Sequence, residues 1–148
     1  MLFQENTIIL DCNLRNKKDI IRYMSQIAFE NNKLTQIEPY VQAVLHRESE
    51  FSTGVGFGIA IPHGKSIVVN EAFVVFCKVD HVDWESLDGT MVDMVFMIGV
   101  PMNDQSNEHL KILAMLSRKL MNEEFRLLLS NSQTKNELLS VLRQFELI

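Results

Sequence analysis

Two cysteines and three prolines in 148 residues, no apolar run of membrane-spanning length and no excess of basic charge narrow the field before any motif is read. Cys12 and Cys77 lie 65 positions apart, so they form neither a CxxC pair nor a zinc-ligand spacing, and both are expected to be reduced and buried. No stretch approaches the roughly 18 apolar residues that cross a bilayer; the run Val95–Pro101 covers seven. Met1–Leu10 contains Glu5 and lacks the basic-then-apolar layout of a signal peptide. These absences point to a cytoplasmic protein with no direct membrane insertion. Fourteen Lys and Arg against 19 Asp and Glu give a net charge of −5, the opposite of the basic footprint a nucleic-acid binder carries.

What is present is ordinary globular composition. Hydrophobic residues at 47% and charged residues at 22% exclude a disordered chain. With no low-complexity segment, repeat or Gly/Ser/Pro-rich linker, residues 1–148 are read as one domain able to bury a substantial core. The start at Met1 and the helical end are read as those of a complete domain.

Two periods alternate along the chain. Thr7–Leu10 reads as a short strand, and Ile20, Ile21, Met24, Ile27 and Ala28 recur at helical spacing behind an Asn16 cap. Thr35 and Glu38 have the spacing of a capping box, opening a helix through Val41, Val44 and Leu45 to about Glu48. Four of the six glycines then fall between Phe51 and Gly64, around a brief strand at Ile59–Ile61. Ala72–Val79 and Val92–Val100 are dense in apolar residues with little polar alternation, as suits strands covered on both faces. Ser86–Gly89 between them reads as a turn, because Asp-Gly accommodates positive φ.

A further helix begins near Ser106 or Asn107 with Leu110, Leu113, Leu116 and Leu120 on one face. Glu123–Leu129 follows, and a Thr134/Glu137 capping box opens the last helix. The order β α α β β β α α α predicts an α/β domain, a mixed sheet with helices on both faces.

The glycine-rich stretch does not complete a nucleotide motif. A dinucleotide fingerprint needs a third glycine where Ile59 stands, and a Walker A loop ending in Gly64-Lys65-Ser66 needs its first glycine at that same position. Pro62-His63-Gly64 carries more. Proline interrupts strand pairing, glycine allows a close turn, and a histidine between them projects from a strand end toward an open site; taken alone, a surface turn histidine is the favoured reading. His109 falls in the first turn of a helix, where free N–H groups and the dipole favour an anion. Arg47 precedes the glycine-rich loop with a guanidinium suited to phosphate oxygens. Ser52, Thr53 and Gly64 would complete a phosphate pocket with hydroxyls and space. His46 and His81 lack such context, and His63 with His109 lacks a third ligand for zinc, so neither a metal nor a cofactor is implied. A neutral imidazole is a competent nucleophile near neutral pH and can take and hand on a phosphoryl group.

These residues also form a recognisable signature. Glu48, Val55, Gly56, Ile59, Ala60, Ile61, Pro62, His63 and Gly64 closely resemble that of enzyme IIA domains of the bacterial phosphotransferase system, fructose/mannitol type. The likeness continues through Val82–Gly89, Val95–Ile98 and Glu108–Leu113, with Trp84–Gly89 nearer the fructose branch than the mannitol or nitrogen-regulatory ones. The resemblance implies that His63 accepts a phosphoryl group from phospho-HPr and passes it to a cysteine of a sugar-specific IIB, with a membrane IIC component involved indirectly. It implies a supporting role for His109 beside the phosphate and for Arg47 on its charge. A regulatory protein whose His63 phosphorylation controls a partner is the alternative, and a binding domain that has lost the chemistry is a third. A carrier that docks two proteins in turn needs an adaptable, partly apolar rim. Phe51, Phe57 and Met102 are candidates for it, although core packing is the expectation for Met102 and still more for Phe57. The net charge of −5 would speed encounter with a basic face on HPr.

Overall fold

The computed structural model describes residues 2–103 and 107–148, with only the backbone at positions 108 and 109. A 3-10 turn, Glu5–Thr7, leads into β1 (Ile8–Ile9). Then come α1 (Lys17–Glu30), α2 (Glu38–Glu50), β2 (Gly54–Gly56), β3 (Ile59–Ala60), β4 (His63–Ser66), β5 (Phe73–Val82) and β6 (Val92–Pro101). The chain ends in α3 (Glu108–Leu120), α4 (Glu123–Asn131) and α5 (Lys135–Gln144).

The six strands form one mixed sheet in the order β1-β5-β6-β3-β2, with β4 also pairing with β6. β1 runs parallel to β5, and β3 and β4 run parallel to β6; β5–β6 and β2–β3 are antiparallel. The unbroken apolar runs of β5 and β6 follow from their place. Alternate residues face opposite ways, so Phe73, Val75 and Cys77 join one core with Ile20, Met24, Val41 and Val44 of α1 and α2. Val74 and Phe76 join the other, with Leu116, Phe125, Leu138 and Leu142 of α3–α5. Helices thus cover both faces, as expected.

The helix ends divide the capping expectations. Asn16 accepts from the Asp19 N–H at 2.8 Å, and Thr134 Oγ1 accepts from the Glu137 N–H at 3.1 Å while Glu137 reaches back to the Gln133 N–H. The Thr35/Glu38 box does not form. Ile37 occupies the cap position; Thr35 instead donates to the Val68 carbonyl beside the Leu34–Val69 bridge, and Glu38 pairs with Arg22. The Ser86–Gly89 turn is present, closed by the Gly89 N–H on the Ser86 carbonyl, with φ +78° at Gly89. On α3 the buried stripe is Ile112, Leu116 and Leu120, whereas Leu113 is half-buried and Leu110 exposed.

Two strands exceed the expected pattern, β2 and β4. Gly-Val-Gly has low intrinsic strand preference and His-Gly-Lys-Ser is polar; both are recruited by neighbours already in the sheet. His63 therefore opens a strand rather than ending one. Pairing is interrupted for two residues, Ile61 and Pro62, and the Pro62 carbonyl still accepts the Ile98 N–H at 3.0 Å.

Candidate functional site

A cavity of about 390 Å³ lies along β4, between α2 and α3. Ala43, His46 and Arg47 of α2 reach it at helical i, i+3, i+4 spacing. His63, Gly64 and Lys65 of β4 form one wall, and Ile98, Val100, Leu110 and Leu113 make much of the rest apolar. At Gly64 α2 approaches closely: a Cβ there would stand 2.9 Å from Val44 Cγ2 and 3.3 Å from the Val44 nitrogen. Its glycine serves that approach and not a turn.

The His63 imidazole is oriented from behind, with Nδ1 lying 2.9 Å from the Ile61 carbonyl oxygen. A carbonyl only accepts, so Nδ1 carries the proton, and in the neutral ring the lone pair then resides on Nε2. Arg47 is also held: its Nη1 donates to the Phe51 carbonyl at 2.9 Å, and the guanidinium carbon stands 4.3 Å from the centroid of the Phe51 ring. The cavity is thus lined by a tautomerically defined imidazole and by an arginine on a mostly apolar surface, a setting in which a transferred anionic group would meet positive charge.

His109 is the second residue of α3, whose first two turns supply Leu110 and Leu113 to the cavity. Its side chain, and Ser106 as a cap candidate, lie outside the described residues. Asn107 precedes the helix with φ +56° and makes no side-chain cap.

Ser52 and Thr53 depart from the expected pocket, since neither lines the cavity. Ser52 Oγ donates to the Trp84 carbonyl at 2.5 Å. Thr53 is buried; its hydroxyl donates to Glu48 and accepts from Trp84 Nε1 at 3.1 Å. Both hydroxyls are used to seat the loop on the Trp84 segment. Phe51, Phe57 and Met102 are all more than half exposed, so core packing fails for Phe57 and Met102. None of the three lines the cavity, although the Phe51 ring and carbonyl contact Arg47, which does. Phe57 sits at a hairpin turn with φ +61°, with the Arg126 guanidinium 4.0 Å from its ring centroid.

Two polar lining residues, His46 and Lys65, are not among the candidates the sequence offers. The spacing of His46 from Ala43 on α2 and the i, i+2 relation of Lys65 to His63 on β4 carry the signal, but the second needs β4 to be known as a strand. His81, by contrast, pairs with Asp93 at 2.8 Å and is exposed. Among the described residues no group of three or more His, Cys, Asp or Glu side chains could hold a metal ion, and no helix is long and apolar enough to cross a membrane.

The family model described as phosphoenolpyruvate-dependent sugar phosphotransferase system, EIIA 2, matches residues 1–145. The chain belongs to this family. Among relatives of this EIIA chain, a fructose-specific EIIABC component of Bacillus subtilis (strain 168) is 37% identical over 146 residues, 98% of this chain but 23% of that protein. A fructose-like EIIA component of Escherichia coli (strain K12) is 33% identical over 138 residues, 91% of this chain and 92% of that one. The fold is similar to that of nitrogen regulatory protein IIA-Ntr from Neisseria meningitidis, with a TM-score of 0.87 at 27% identity, covering 95% of this chain and 96% of that one. It is also similar to a chain in the complex of enzyme IIAMTL with phosphorylated enzyme IIBMTL from Escherichia coli, with a TM-score of 0.80 at 26% identity over 97% and 98%. The EIIA chain is thus of the fructose/mannitol type, and spans about a quarter of one such relative and nearly all of another.

Proposed function

We propose that this EIIA chain acts as one domain that carries a phosphoryl group on His63, accepting it from phospho-HPr and passing it to a cysteine of a sugar-specific IIB in phosphoenolpyruvate-dependent sugar uptake. The observation that carries this reading is the Nδ1 contact to the Ile61 carbonyl in a cavity shared with Arg47. In the first step the Nε2 lone pair of His63 attacks phosphorus; the N–P bond forms as the donor's bond to phosphorus breaks and the donor leaves with that electron pair. Nδ1 keeps its proton throughout, so the phosphorylated ring is cationic and the Ile61 carbonyl dipole stabilises it. In the second step a cysteine thiolate attacks phosphorus, the S–P bond forms, and the electron pair of the N–P bond returns to Nε2. Arg47 opposes charge on the equatorial oxygens in both steps, and His109, at the start of α3, supplies a second imidazole.

The partner follows from chemistry and family together. The apolar wall of Ile98, Val100, Leu110 and Leu113 suits a protein surface better than a sugar, which would need hydrogen-bonding groups. The mannitol relative is described in complex with its phosphorylated IIB, and the Bacillus relative carries A, B and C components in one protein. Incubation with labelled phosphoenolpyruvate, enzyme I and HPr tests the donor half. Label stable to base and labile to acid is expected on the wild type and none on His63→Ala; label retained by that variant would overturn the reading. The likeness to a nitrogen regulatory protein favours one alternative, a regulator whose phosphorylated state controls a partner; discharge of the label onto the cysteine of a cognate IIB is the result that separates transport from it.

A further inference from the structure

Among the described residues Glu48 is the one buried acidic side chain, and it does not line the cavity. A carboxylate out of water costs several kcal/mol unless hydrogen-bonded and paired, and here four donors meet it. Oε2 accepts from the Thr53 N–H at 2.8 Å and from Lys17 Nζ at 3.1 Å. Oε1 accepts from the Thr53 hydroxyl and from Trp84 Nε1 at 3.4 Å. Lys17 comes from α1, Trp84 from the segment after β5 and Thr53 from the loop before β2. A single charge therefore ties three separate parts of the chain to the last turns of α2.

From Thr53 the contacts continue to the reacting residue. The Thr53 carbonyl accepts the Ile61 N–H at 3.0 Å, and the Ile61 carbonyl accepts from His63 Nδ1 at 2.9 Å. Three hydrogen bonds in series thus connect Glu48 to the imidazole. Each passes through an α-carbon between two different peptide units, so what is transmitted is position rather than electron density. Pro62, with its fixed φ, stiffens the last link. The same loop reaches the guanidinium, because Arg47, adjacent to Glu48, donates to the Phe51 carbonyl two residues before Thr53.

We propose that Glu48 is a positioning residue for phosphoryl transfer, setting the tautomer and orientation of His63 through Thr53 and Ile61 and seating Arg47 on the same loop. The rate part of this proposal rests on the carrier reading above; the tautomer part does not. A glutamine in its place keeps the shape but puts an NH2 where an oxygen now accepts, so two of the four donors lose their acceptor and the loop shifts.

The experiment is nitrogen-15 NMR of the His63 ring in the wild type and in Glu48→Gln, with thermal melting and the rate of transfer from phospho-HPr measured on the same samples. The wild type is expected to be the Nδ1–H tautomer. The folded variant is expected to show a mixture of tautomers and transfer slowed roughly tenfold or more, as for displacements of a reacting group by a fraction of an ångström to an ångström. A folded variant with the wild-type tautomer and rate would overturn the proposal, whatever its melting temperature. If Glu48→Gln does not fold, Thr53→Val, which keeps the Thr53 N–H on the carboxylate and loses the hydroxyl, takes its place. A smaller shift in the same direction supports the proposal, and an unchanged ring overturns it. If the wild type takes no phosphoryl group at all, the carrier reading falls while the NMR comparison still decides the role of Glu48 in orienting the ring.

Discussion

His63 Nδ1 stands 2.9 Å from the carbonyl oxygen of Ile61, two residues earlier in its own chain. The spacing is local, but the geometry is not: Ile61 is held by Thr53, and Pro62 returns the chain to β6 through its carbonyl. A local contact fixed by distant ones makes a dependable tautomer, and the chemical consequences of that tautomer can be measured.

His63→Gln keeps a polar side chain of comparable reach and removes the proposed nucleophile. The expected outcome is a folded protein with a melting temperature near that of the wild type and no acid-labile label from phospho-HPr. Circular dichroism and label incorporation measured together check it, and label on the variant would move the reaction to another residue.

Arg47→Ala removes a guanidinium that, among the described residues, meets no acidic partner and is held by the Phe51 carbonyl and ring. Phosphorylation remains possible but slows by about 100-fold, corresponding to the roughly 3 kcal/mol that one charge-stabilising donor supplies in a transition state. Arg47→Lys recovers part of the rate, because an ammonium keeps the charge and loses the fork. Rapid-quench measurement of single-turnover transfer decides this; equal rates for all three proteins would make Arg47 a surface residue.

Gly99 sits in β6 against the Phe73 ring, and a Cβ there would lie 2.1 Å from Phe73 Cε2. Gly99→Ala forces the ring or the strand aside and is expected to cost about 1–3 kcal/mol by overpacking. Adding Phe73→Leu to the same protein should recover much of that loss. Chemical denaturation of the three proteins measures it, and a fully stable single variant would contradict the packing described.

Glu38 is paired with Arg22 at 2.5 Å across α1 and α2, which together with Gln42 draws its carboxyl down from 4.5 to about 2. A depressed carboxyl favours the folded state above its unfolded value, and that contribution disappears as protons bind between pH 4.5 and about 2. Glu38→Gln is therefore expected to be less stable than the wild type at pH 7, where the contribution is fully present, and the difference should vanish as the pH falls from 4.5 to about 2. Because the pair is exposed the effect is small, and it should shrink further in salt. Urea titrations at a series of pH values compare the two proteins; parallel curves would remove the role of the pair.

Much of this fold is legible because burial repeats along the sequence with the period of each element. β5 and β6 show as unbroken apolar runs, and Asn16 and Thr134 mark helix starts with side chains that do cap them. Thr35 and Glu38 have the same spacing and fail, since a competing bridge to Val68 and a salt bridge to Arg22 are made by residues far away in sequence. β2 and β4 leave no local signal, because their pairing comes from β3 and β6 rather than from their own composition. For the site, the motif around His63 points to the imidazole, and the position of Arg47 before the loop points to the guanidinium. Ser52 and Thr53 resemble phosphate donors by type alone, whereas their direction depends on Trp84, more than 30 residues on. His46 and Lys65 show the converse: their place on the cavity follows from an α2–β4 approach that the sequence records only as the glycine at position 64.

The central claim concerns one nitrogen atom. Phosphorus-31 and nitrogen-15 NMR of the protein after incubation with phospho-HPr measures it directly. The account predicts a single phosphoramidate with phosphorus bonded to Nε2 of His63 and the proton retained on Nδ1. Phosphorus on Nδ1, on another residue, or on none would contradict it.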